Sequence, residues 1–342
     1  MARVTRRAVL GGLGVTVLAP SHPQQAATQW VDPARMDEAR EFARDVTQLH
    51  SLTVSIKGER HVAEAFRGAS LGTPVNVKSV SKTLLATLVL IAIDKGILTG
   101  TRQKVLPLLG DLAPRKMSPQ VADITLDHLM SMRSGLVRTS GAAYGDWVSS
   151  RDWIGYILRQ PVVSRPGTRM SYSTGDFHLL SAALTRASGR STHALAAEWL
   201  GKPLGIDLPP WTRDPRGIYM GGNNMAMSPD GMIRFGEMAL AGGLFGEERV
   251  ISEQMMQAAW TPRARSPFSG HQYGYGWFQT LMSGRRVYYA RGYGGQMIYV
   301  VPQIETVIAI TSDPTLPARY SGHGGVLNRL VGDQILPAIG RA

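Results

Sequence analysis

The stretch VKSVSKTLLATLVLIAIDKGIL, from Val77 to Leu98, places a serine and a lysine three residues apart where a long apolar helix begins. Residues at i and i+3 share a helix face, so Ser79 and Lys82 point the same way. A helix N-terminus favours a developing anion through its free N–H groups and dipole. The same dipole disfavours a lysine, which weakens the bland reading of a capped helix with a solvated ammonium. The other reading is a nucleophile beside its base. It requires burial or cationic neighbours to lower the amine from its usual pKa of about 10.4. Ser79 is the only serine with a lysine at this spacing, but one such match is about what composition predicts. The rest of the chain has to decide.

At 342 residues, with 44% hydrophobic and 18% charged side chains, the chain can bury a sizeable core. PARMDEAREFARDVTQLH spaces Met36, Ala39, Phe42 and Val46 as an amphipathic helix. LTVSIKG and HVAEAFRG follow as two strands joined at Gly58 and Glu59. From about Thr99 to Gly246 the pattern is mostly helical, including ITLDHLMSMRSGL with Asp127 as its cap candidate. From Tyr273 it turns to strand: YGYGWFQTL, RRVYYARG, QMIYVVP and ETVIAITSD, before a last helix, VLNRLVGDQILPAI. Two isolated strands are marginal, so the strands of both ends must meet in one sheet. The expected class is α+β, an antiparallel sheet flanked by N- and C-terminal helices with an inserted all-helical subdomain. The sheet part would comprise about 28–98 and 250–342, the helical part about 99–249. A cleft at their junction is the expected ligand site.

Before Asp32 the chain has no acidic side chain. A basic start with Arg6 and Arg7 precedes an apolar run, Ala8 to Ala19. The run is too short to span a bilayer and has the order of an export signal of twin-arginine type, over residues 1–27. The mature chain is then expected to be periplasmic or secreted, with no integral membrane segment. Cysteine is absent, which excludes disulfides, thiol catalysis and zinc–thiolate sites. The net charge is +12, but the arginines are scattered without interleaved aromatics, so a nucleic-acid partner is not expected. No histidine pair has metal-ligand spacing, and neither a metal nor a cofactor is called for. The sequence does not fix the oligomeric state.

The Ser79–Lys82 box, the helix after it and ITLDHLMSMRSGL resemble the serine β-lactamase and penicillin-binding-protein superfamily. The resemblance is closest to the branch of class C-like esterases and 6-aminohexanoate-dimer hydrolases, and it implies the same sheet-plus-helical-subdomain fold. That family's second box, Tyr-x-Asn after a Pro-Gly turn, is matched by RPGTRMSYSTGDFHLL, with Thr174 in place of asparagine. The resemblance implies that Tyr172 moves protons with Lys82. The third box, Lys-Thr-Gly, is missing, and YYARGYGGQMIYVVP takes its place. With Gly292 as the box's glycine, Ala290 replaces the lysine and Arg291 the threonine. The N–H of Tyr293 would then join that of Ser79 in an oxyanion hole. Gly292 and Gly294 would let substrate approach the backbone, while a hairpin turn is the alternative reading of Gly294 and Gly295.

Two other motifs carry less. GASLG around Ser70 fits the nucleophile elbow of α/β-hydrolases, but Pro74 and an extended segment follow it where the elbow needs a helix, so Ser70 reads as a loop serine. His323 precedes the terminal helix, and His128 and His178 fall within helices as structural residues. The expected activity is hydrolysis of a small ester or amide through an acyl-enzyme on Ser79. The alternatives are a β-lactamase or D-Ala-D-Ala carboxypeptidase, disfavoured by the lost third box, and a non-catalytic envelope sensor.

Overall fold

The computed structural model describes residue 1, residues 30–317 and residues 322–340. Apart from Met1, the segment read as an export signal lies outside the described residues. Helix α1 (Pro33–Asp45) starts where Asp32 accepts from the Ala34 and Arg35 amides, with Pro33 at the first helical position. It buries Met36, Ala39 and Ala43. Val46, which its spacing places in the helix, is the extended residue that ends it, because Leu49 already belongs to the first strand.

The strands, in chain order, are β1 (Leu49–Ile56), β2 (Glu59–Ala65), β3 (Val75–Lys78), β4 (Met225–Met227), β5 (Leu244–Phe245), β6 (Glu248–Arg249), β7 (Ala264–Arg265), β8 (Gln272–Tyr273), β9 (Phe278–Met282), β10 (Arg285–Gly292), β11 (Gln296–Val301) and β12 (Thr306–Ser312). Eight form one sheet in the order β2-β1-β12-β11-β10-β9-β8-β7, with every pair antiparallel. The strands at the two ends of the chain therefore meet at β1 and β12, where Leu52 pairs with Ile310 and Val54 with Ile308. The first hairpin turns on Lys57 and Gly58, one residue earlier than the sequence suggests. Both have positive φ, as a two-residue primed turn requires.

YGYGWFQTL is not one strand. Gly274 donates to Trp277 O and Tyr275 to Ala259 O, so a turn separates β8 from β9. The segment 99–249 is mostly helical but includes β4, β5 and β6. The β4 strand pairs with β3 in a separate ribbon, Val75 opposite Met227. Thr125, not Asp127, caps the helix Leu126–Met130, and it does so in a capping box with His128.

Helix α2 (Ser81–Asp94) is buried from Ser81 through Ala92, which explains why its apolar residues show no single stripe. It packs against the helices Thr174–Ser188 and Glu253–Trp260, while the helix Pro229–Leu240 lies against β12, β11 and β1. At the chain's ends α1 packs on the C-terminal helical run, and Asp32 N and Gly340 N donate to Ala338 O and Trp30 O.

Candidate active site

Ser79 sits between the end of β3 and the first turn of α2. The residue before it, Lys78, has φ 50°, a left-handed conformation uncommon for a side chain of this kind. Its N–H is held by Asn76 Oδ1 at 2.9 Å. The Ser81 hydroxyl donates to Lys78 O and accepts from Met225 N, tying the turn to β4. The nucleophile candidate is therefore presented on a fixed, strained corner.

Lys82 is 2% exposed. Its Nζ lies 2.7 Å from Gly222 O, 3.1 Å from Ser79 Oγ and 3.2 Å from Thr174 Oγ1. A neutral amine has two N–H donors and one lone pair. The carbonyl of Gly222 can only accept. Thr174 can accept too, because its own hydrogen has a partner in Ser140 Oγ at 2.9 Å. The lone pair can then take the hydrogen of the Ser79 hydroxyl or that of the Tyr172 phenol, the amine's other hydroxyl neighbour. Thr174 is thus a direct partner of the lysine.

Desolvation lowers the Lys82 pKa, while charge and hydrogen bonding at Tyr172 and the charge of Asp176 oppose it. The Tyr172 ring centroid is 4.8 Å from Nζ. Asp176, 1% exposed, is pushed up to about 7 by burial, although Ser134 donates to its Oδ1 at 3.0 Å. Its Oδ2 is buried with no hydrogen-bond partner. A carboxyl that resists ionising does not pin the neighbouring amine as an ammonium.

Thr174 and Asp176 open the helix Thr174–Ser188. The first amides of that helix are met from outside it: Thr174 N donates to Ser140 Oγ and Gly175 N to Thr139 Oγ1. The segment Ser134–Ser140 therefore fixes the helix end that carries the lysine's partner.

The third-box residues lie at the end of β10. Ala290 is fully buried, Arg291 is exposed and the Tyr293 side chain is 54% exposed. A Cβ on Gly292 would come within 2.3 Å of Val77 O, so glycine lets the strand end pass beside the residues leading to Ser79. Gly294, at φ 82°, belongs to the β10–β11 turn, where its missing Cβ would strike Asp313 O. The charge of Arg291 reaches His271 and Tyr289. Ser70 is an exposed loop residue bonded to Thr73. His323 Nε2 lies 2.9 Å from Ser312 Oγ, behind the glycine turn.

Three participants were not found from sequence: Gly222, Ser140 and Asp176. Only Gly222 left a local signal, the paired glycines of YMGGNN. At φ 74° it has no room for a Cβ, which would meet Phe177 Cβ at 2.6 Å and Lys82 Cγ at 2.9 Å. Among the described residues no His, Cys, Asp or Glu cluster could hold a metal ion.

Comparison with known proteins bears on the fold and the family. The profile of the Beta-lactamase family matches residues 42–331. No curated protein is significantly similar in sequence. Among solved structures, EstCE1, a hydrolase with promiscuous acyltransferase activity, superposes with a TM-score of 0.71 at 16% identity, covering 90% of this chain and 98% of that one. A family VIII carboxylesterase gives 0.66 at 17% identity, over 84% and 92% of the two chains. A penicillin-binding protein homolog from Caulobacter crescentus gives 0.65 at 17%, over 83% and 92%. At these identities the structures speak for the fold, and the profile, which spans most of the chain, speaks for descent. The chain belongs to the β-lactamase family of hydrolases.

Proposed function

We propose that this protein cleaves an ester or amide bond through an acyl-enzyme on Ser79. Ser79 Oγ attacks the carbonyl carbon as its proton passes to Lys82. The tetrahedral intermediate collapses when the leaving alkoxide or amine takes that proton, with Tyr172 as the second proton-transfer group. Water then attacks the acyl carbon by the reverse proton path and releases the acid. The Ser79 and Tyr293 amides are assigned to the oxyanion, where one such donor is worth about 3 kcal/mol. The observation that carries this reading is the enclosed Lys82 amine, held by the Gly222 carbonyl and Thr174 with its nitrogen 3.1 Å from Ser79 Oγ.

The substrate class follows from the third box. With Ala290 buried and no lysine at that place, the strand lacks the box's own cation for the carboxylate of a β-lactam or peptide terminus, and the exposed Arg291 one residue on could replace it only in part. Short acyl esters and simple amides fit better. The acid-free basic segment before Asp32 supports export. Intact-mass detection of an acyl adduct from short-chain nitrophenyl esters, lost in Ser79→Ala, tests the mechanism. An unchanged hydrolysis rate in Ser79→Ala would refute it. Turnover of a chromogenic cephalosporin at rates rivalling ester cleavage would reverse the substrate ranking.

A further inference from the structure

We infer that His178, held by Asp214, is a positioning residue that fixes the backbone carbonyl to which the Lys82 amine donates. This rests on the serine-hydrolase reading of the site. His178 stands one turn beyond Thr174 on the same helix, with its side chain wholly buried. Its Nε2 is 3.1 Å from Asp214 Oδ2, and that carboxylate is wholly buried as well. The other oxygen, Oδ1, accepts from Arg216 N at 2.9 Å and Ile218 N at 2.8 Å. Every contact of the Asp214 carboxylate is thus one that an ionised acceptor makes. Burial alone would raise this acid, but the hydrogen bonds from His178 and the two amides outweigh it and hold it below its usual range.

The tautomer follows from the other side of the ring. Nδ1 lies 3.4 Å from Gly221 N, whose N–H it accepts, so the ring proton is on Nε2, facing Asp214. Gly221 is pressed on the helix so closely that a Cβ would meet Phe177 O at 1.9 Å. The next residue, Gly222, presents its carbonyl to Lys82 Nζ at 2.7 Å. The route from Asp214 to the amine is therefore continuous: carboxylate, imidazole, Gly221 amide, Gly222 carbonyl, Lys82. Asp214 also shapes the approach to that loop, since its own N–H donates to Ile218 O. Trp147 and Trp153 meet the imidazole edge-on with centroids at 5.8 and 5.3 Å, and their indole N–H groups are spent on Trp153 O and Val148 O. The ring's two polar contacts are thus Asp214 on one side and the glycine loop on the other. A histidine present only to fill volume would need neither.

The test compares His178→Leu, His178→Gln and Asp214→Asn with the wild type, using nitrophenyl ester turnover and fluorophosphonate labelling of Ser79. Leucine removes both contacts, and a displacement of about 1 Å in a reacting group can cost about 100-fold. The expected result for His178→Leu is a kcat and labelling rate lowered about 10- to 100-fold with KM within about twofold. Glutamine can donate to Asp214 and accept from Gly221, so His178→Gln should recover to within about threefold of the wild type. A folded His178→Leu protein with wild-type kcat overturns the inference, as does a glutamine variant no better than leucine. If His178→Leu does not fold, Asp214→Asn is read instead, with the same split expected and an unchanged kcat overturning. Wild-type protein unlabelled at Ser79 overturns the hydrolase reading and this inference with it. A labelled wild type with an unchanged His178→Leu overturns this inference alone.

Discussion

Lys82 and Asp176 are buried ionisable neighbours whose shifts run in opposite directions, the amine down and the acid up. Both shifts favour the uncharged form, which is the form in which Lys82 can accept a proton. Activity should therefore rise with pH as the amine deprotonates, with the limb lying below the usual lysine range. Lys82→Arg, whose guanidinium keeps its proton, should lose about 10²- to 10⁴-fold in kcat across the whole profile. Asp176 makes a separate prediction about stability. Its folded pKa, about 7, is above the unfolded value, so the native state holds the extra proton between those values. The stability this contributes is fully present below about pH 4 and is lost as pH rises through 7. Asp176→Asn should match the wild type near pH 4 and exceed it at pH 8, by a few kcal/mol in urea unfolding. A gap that does not change with pH would contradict the buried acid. Ser79, Lys82 and Tyr172 were legible because local spacing and flanking residues mark them. Gly222 and Ser140 reach Lys82 from 140 and 58 positions along the chain, directly and through Thr174, and no local pattern reports such a meeting.

At the scale of elements, the end of β10 and the turn before α2 must lie close together for Tyr293 and Ser79 to share one oxyanion. Gly292 permits this, with its α-hydrogen facing Val77 O where any Cβ would collide. Gly292→Ala should push the strand end away and lower kcat at least about tenfold, with a smaller effect on KM. Gly294→Ala acts differently. Its φ of 82° and the nearby Asp313 carbonyl make the turn itself the casualty, at a cost of about 1–3 kcal/mol in stability. Steady-state kinetics with thermal unfolding on both variants separates the cases, and equal kcat losses would place both glycines in the turn. The sequence revealed the strands here through their β-branched and aromatic alternation. It misread YGYGW, because that stretch has strand composition while its backbone turns to bond with Ala259. It also placed a cap on Asp127, whose carboxylate is instead bonded to Arg133 and the Tyr275 hydroxyl at 2.6 Å each.

Across the whole molecule, the nested topology was readable in outline, since two early strands without further partners had to join the late ones. The register was not, because β1 and β12 are buried along nearly their whole lengths and show little of the alternation that would set one face. The closure of residues 30–31 on residues 339–340 was also hidden: Val31 bridges Ile339, and Gly340 N donates to Trp30 O. This closure yields opposite expectations for the two termini. Beyond residue 322, Leu327, Leu330, Val331, Ile335, Leu336 and Ile339 are all buried. At about 2 kcal/mol each, their loss rivals the whole net stability of about 5–15 kcal/mol expected of a globular chain. A chain ending at residue 322 should show no cooperative unfolding. A chain starting at residue 28 keeps Trp30, Val31 and the Asp32 cap, and removes only what an export signal would remove. It should unfold within about 2 °C of the full-length protein and hydrolyse esters at the same rate. Protein recovered from an envelope or culture fluid should begin close to that residue by N-terminal sequencing, whereas full-length protein retained in the cytoplasm would refute export.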